Sequence, residues 1–186
     1  MEFLTQLWLP IIVSAVVVFI VSALAWTVMP HHKKDFTGLP NADAVQAMMR
    51  QNPPAPGQYA MPWVSDMKLL EDPAMKAKME QGPRAYITVV PNGMPSMGPM
   101  MAQSVVFYLF VSIMVAYVTW HALGAGAEYL AVFRFAGTTA SMAYILATVP
   151  DAIWFGKPWS NWGRQAMDGL VFALATAGIF GWLWPR

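Results

Sequence analysis

Leu7-Trp-Leu-Pro-Ile-Ile-Val-Ser-Ala-Val-Val-Val-Phe-Ile-Val-Ser-Ala-Leu-Ala-Trp-Thr-Val-Met29 decides the fold. No side chain in these 23 positions is ionisable. At about 1.5 Å per residue, a helix of this length covers the roughly 30 Å hydrocarbon core of a bilayer. Ala23-Leu24-Ala25 has the small-x-small form of a cleavage site. The leader Met1–Gln6, however, carries Glu2 and no Lys or Arg, and the apolar run exceeds the core of a signal peptide. The reading is a retained first transmembrane helix, residues 1–29.

Composition extends that reading to the whole chain. Of 186 residues 57% are apolar and only 11% charged, with a mean hydropathy of +0.44. Soluble domains carry about 25% charged residues. Nine tryptophans fit the headgroup level, where an indole is half buried and its N–H stays wet. A net charge of +1 excludes a globally basic nucleic-acid binder, and no nucleic-acid partner is expected. The absence of cysteine excludes disulfides, iron–sulfur clusters and thiolate zinc sites.

Three further spans are expected, over about 102–121, 127–149 and 165–184, the third stopped by Pro150-Asp151. Only Ala122–Gly126 separates the second from the third, which requires an antiparallel turn. The predicted class is an all-α membrane protein: a four-helix bundle in the lipid bilayer, with a three-helix region at 102–186.

Residues 30–101 hold most of the charge. Asn41 reads as the side-chain cap of a short helix ending near Arg50. Asn52-Pro-Pro-Ala-Pro-Gly57 reads as extended chain. Asp72 as cap, Pro73 at the first position and Gln81-Gly82 as the close define a second helix. Ala85-Tyr-Ile-Thr-Val-Val90, followed by Pro91-Asn92-Gly93, reads as a strand and turn, a candidate hairpin. Nine Lys and Arg fall in this segment and the third-to-fourth connection, against Arg134 and Arg186 on the other side. Basic residues collect on the cytoplasmic flank, so the large loop is expected there and both termini outside.

Span four carries Gly169, Ala173, Ala177 and Gly181 on one stripe, and span three carries Ala136 and Ala140 with Gly137 and Ser141 beside them. Small residues at this spacing let helix backbones approach, within one chain or against another membrane polypeptide. Arg134 is an intramembrane charge whose head can snorkel outward. Asp168 is expected to sit favourably at the N-terminus of span four. Met94, Met97, Met100 and Met101 resemble a thioether copper site, and His121 is a lone imidazole for a pigment. Both are weak candidates beside ordinary packing and headgroup roles, and no metal or cofactor is expected. His31 and His32 sit together after the first span, where His31-His-Lys-Lys-Asp35 reads as its stop signal. No nucleotide, metalloprotease or hydrolase fingerprint is present, and the chain is not expected to be an enzyme.

Met29-Pro-His-His-Lys-Lys-Asp35 with Gly38-Leu-Pro40, Pro56-Gly-Gln-Tyr59, and the run from Asp168-Gly169 to Gly181-Trp-Leu-Trp-Pro185 are the most distinctive stretches. Together they resemble a group of small bacterial inner-membrane proteins, over nearly the whole chain. The resemblance implies a bacterial inner (plasma) membrane address and carries over no function. The expectation is a non-catalytic accessory or structural subunit, bound to other integral membrane subunits. The alternatives are a small oligomeric channel or carrier lined by Ser104, Ser112, Thr119, Thr138, Thr139 and Ser141, or a metal- or pigment-binding membrane protein.

Overall fold

Pro10 has no N–H to offer the carbonyl of Gln6, and the first helical run breaks there. Helix α1 (Glu2–Gln6) is thus divided by Leu7 from α2 (Trp8–Thr27). The computed structural model describes residues 2–186, which are mostly helical. Two units are defined, one of Met1–Phe36 with Ser96–Arg186, the other of Thr37–Pro95.

In the first unit, α2 packs with α5 (Met97–Leu123), α6 (Tyr129–Tyr144) and α8 (Trp159–Trp182). Helix α2 lies against α5 and α8, and α6 lies against the same two, so the four close into a ring. Leu7, Val18, Val115, Val132 and Phe180 fill its interior with no exposed surface. Inside the ring, the Ser14 hydroxyl of α2 donates to that of Ser112 on α5 at 2.8 Å. Gly124 (φ +69°) ends α5, its carbonyl accepts from the Trp184 indole at 3.0 Å, and the Gly126 N–H donates to the carbonyl of Pro185. The turn between α5 and α6 is thereby tied to the end of the chain.

Three segments are long and apolar enough to cross a membrane: Trp8–Thr27, Met97–Leu123 and Tyr129–Trp154. The last is not one uniform helix. After Tyr144 it tightens into a 3₁₀ turn (Leu146–Thr148) and resumes as α7 (Val149–Trp154). Pro150 therefore does not stop the third span as expected. It occupies the first turn of α7, where its missing N–H is tolerated, and the break falls one turn upstream. Helix α8 matches these segments in length but starts at Trp159, six residues before the expected Gln165.

The second unit contains α3 (Ala42–Gln51), α4 (Pro73–Gln81) and an antiparallel pair of β1 (Gly57–Met61) and β2 (Ala85–Val89), with Tyr59 opposite Ile87. The Asp72 carboxylate accepts from the Ala74 N–H at 3.4 Å and Gly82 closes α4, as its sequence signals indicate. Asn41 does precede α3, yet its side chain makes no capping bond. Its backbone is left-handed (φ 56°), which directs the side chain away from the helix N–H groups. The strands form no local hairpin either: α4 and a 3₁₀ turn (Met67–Glu71) lie between them, and the Pro91-Asn92-Gly93 turn leads out of β2 toward α5.

Candidate functional site

Proline builds the entrance to the site. Met29 is extended (φ −78°, ψ 138°), as the residue before a proline prefers, and Pro30 opens a 3₁₀ turn over Pro30–Lys34. That turn brings His31, His32 and Asp35 back onto α8, where Asn161, Arg164 and Asp168 share one face by their spacing of three and four residues. His32 is buried, its ring stacked on Trp26 of α2 with centroids 3.9 Å apart and planes 2° from parallel.

The polar contacts form one network. His32 meets Asp35 Oδ2 through Nδ1 at 2.6 Å and Asp168 Oδ2 through Nε2 at 2.6 Å. His31 Nε2 lies 2.9 Å from Asp168 Oδ1. Arg164 Nε donates to Asp35 Oδ1 at 2.6 Å, and its Nη2 donates to Asn161 Oδ1 at 2.6 Å. Asn161 Nδ2 in turn donates to the Asp35 carbonyl at 2.9 Å. Burial disfavours the charged ring of His32, but the carboxylates on both its nitrogens outweigh this and raise its pKa above the usual 6.5. Burial likewise opposes ionisation of Asp35, yet His32 and Arg164 hold its pKa below 3.8.

This placement corrects the reading of Asp168. Since α8 begins at Trp159, Asp168 lies well inside the helix, beyond reach of the N-terminal dipole, and is compensated by two imidazoles. A cavity of ≈310 Å³ adjoins the network, lined by Trp26, His32, Tyr108, Tyr144, Lys157 and Asp168 among others. The Lys157 ammonium donates to the Gln165 side chain at its edge. His31, His32 and Asp168 each offer one ligand atom within 4.8 Å of the others, a ring nitrogen from each histidine and a carboxylate oxygen, a spacing that suits shared coordination of one cation.

The other candidate residues do not converge on this centre. Gly169, Ala173 and Ala177 are on α8, and Ala136, Ala140, Gly137 and Ser141 are on α6, the helix in most extensive contact with it. A Cβ on Gly169 would sit 2.8 Å from the Tyr144 carbonyl oxygen, one on Gly137 3.1 Å from Ala177 Cβ, and one on Gly181 2.7 Å from the Tyr129 ring. The Ser141 hydroxyl donates to its own helix at the Gly137 carbonyl. Arg134 is exposed on α6 and makes no hydrogen bond or ion pair among the described residues. Met94, Met97, Met100 and Met101 are all exposed at or before the start of α5. His121 lies at the opposite end of that helix, where its Nδ1–H donates to the Tyr117 carbonyl at 2.8 Å. These residues share no site.

Sequence reasoning placed His31 and His32 at a helix end and Asp168 on a helix start, with nothing to join them. The overlooked signal was the face of Asn161, Arg164 and Asp168, a polar stripe leading into an apolar helix. Compared with protein-family models, curated proteins and solved structures, the chain matches none.

Proposed function

We propose that the chain is a non-catalytic accessory subunit of a larger membrane complex, held in a bacterial inner membrane by four helices and docking through residues 37–95. One observation carries this reading: the Thr37–Pro95 unit has ordered helices and strands but no buried residue. Trp63, Met67 and Leu39 are 71%, 76% and 60% exposed. A folded segment with no core of its own gains stability by covering another surface. Its five Lys and Arg are balanced by five Asp and Glu, so anionic lipid headgroups have no net charge to attract. A protein partner fits better than a lipid surface.

Helix α8 is the fourth crossing in this reading. Its 24 residues give a length of about 36 Å, and its one carboxylate, Asp168, is hydrogen-bonded to histidine rather than left unpaired. Lys33 and Lys34 beside the first span favour a cytoplasmic loop and periplasmic termini. The channel alternative lacks a continuous polar lining: Ser112 is paired with Ser14, while Ser104, Thr139 and Ser141 bond to their own helices.

The test is native mass spectrometry of tagged protein extracted gently from its own membranes, with a photo-crosslinker replacing Trp63. Co-purification with larger membrane subunits, crosslinked at position 63, is the expected result. A solitary chain with no crosslink would sink the proposal.

A further inference from the structure

The donor atoms around Asp168 are arranged as metal ligands are, and their support is arranged as a second coordination shell is. Two imidazole nitrogens and a carboxylate are an N₂O set of the borderline kind that first-row divalent metals accept. His32 presents Nδ1 to Asp35, and Asp35 is fixed by Arg164 Nε and, through its backbone, by Asn161. A carboxylate behind a histidine in this way selects the tautomer with its proton on Nδ1 and leaves the Nε2 lone pair free to bind. In that tautomer the lone pair points at Asp168 Oδ2 only 2.6 Å away, so two acceptors face each other. Something positive must lie between them, either a proton on Nε2 or a cation. His31 brings a third donor to the same carboxylate from the neighbouring ring, whose centroid is 4.1 Å from that of His32.

We propose that His31, His32 and Asp168 bind one divalent first-row transition-metal ion, with Asp35 and Arg164 orienting His32 and the remaining coordination positions open to the adjoining cavity. Three protein ligands leave a tetrahedral ion one position short, the pattern of open rather than closed structural sites. His32 and Asp168 both line the ≈310 Å³ cavity, and Lys157 is on its wall. The outstanding ligand is thus water or a small anion. His121 and the exposed methionines belong neither to this network nor to the lining of the cavity. The inference stands independently of the accessory-subunit reading, since it concerns only the helical unit.

The experiment uses full-length protein in lipid nanodiscs, stripped with chelator and titrated calorimetrically with zinc, then with manganese(II) and nickel(II). The expected result is one equivalent bound. Uptake should release a proton, seen as a dependence of the heat on buffer ionisation enthalpy. His31→Ala, which leaves the pairing of His32 with Asp35 in place, is expected to weaken binding at least about tenfold, and Asp35→Asn by about 10- to 100-fold. Asp168→Asn should abolish binding, and His121→Ala should leave it unchanged. No bound equivalent in the wild type would overturn the proposal, as would unchanged affinity in His31→Ala. If Asp168→Asn does not fold, the comparison of His31→Ala with His121→Ala decides alone.

Discussion

His32 meets a carboxylate at each ring nitrogen, and this pairing raises its pKa, so its charge state couples the exit of α2 to the face of α8. The sign of the pH dependence follows from the two shifts. His32 has a raised pKa in the folded chain, so its contribution is complete below about 6.5 and is lost as pH rises through the folded value. Asp35 has a lowered pKa, so its contribution is complete above about 3.8 and is lost as pH falls through the folded value. Metal-free protein in detergent is therefore expected to have its highest Tm between these limits. Above pH 6.5 the Tm should fall, and His32→Gln should flatten that limb; equal slopes in both proteins would refute the assignment. The residues involved could be read from the sequence, but their meeting could not. His31 and Asp168 are 137 positions apart, and nothing local to either indicates the other.

Between helices, apolar attraction is weak wherever lipid is the competing environment, and close packing of small residues takes over. The glycines of α8 grade this contact. At Gly169 a methyl group would meet the Tyr144 carbonyl oxygen at 2.8 Å, backbone against backbone, at the point where α6 gives way to its 3₁₀ turn. At Gly178 the nearest atom is the Tyr129 hydroxyl at 4.0 Å. Gly169→Ala is expected to destabilise by about 1–3 kcal/mol, as overpacking does, while Gly178→Ala should be neutral or better. Thermal unfolding of the two variants in one detergent compares them; equal midpoints would show that the helices slide apart freely. The small-residue stripes and three apolar segments were legible because they are periodic or continuous. The true start of α8 was not. Trp159-Ser-Asn-Trp-Gly-Arg-Gln165 looks like a connection by polarity, yet it is helical, with side-chain partners in Asp35, just after the Pro30–Lys34 turn, and in Thr148. Strand β1 escaped for a related reason: Gly57–Met61 is short, and only β2, well over twenty residues later, gives it a ladder.

Across the whole molecule, every buried side chain belongs to the helical unit and none to Thr37–Pro95. Replacing residues 37–95 by a flexible Gly/Ser linker of about 15 residues should leave the helical unit folded with its Tm within a few degrees. Far-ultraviolet circular dichroism and size-exclusion chromatography of the deletion would check this, and aggregation would show that the segment supports the bundle after all. The network at Asp35 and Asp168 also carries a timetable. The ribosome makes His31, His32 and Asp35 first, and more than 120 further residues follow before Asn161, Arg164 and Asp168 emerge. Through all of that interval the end of α2 must wait with its polar residues wet, and only α8 can close it. A nascent chain halted before α8 is an unlatched intermediate, and the emergence of Asn161, Arg164 and Asp168 is itself the signal that seals it.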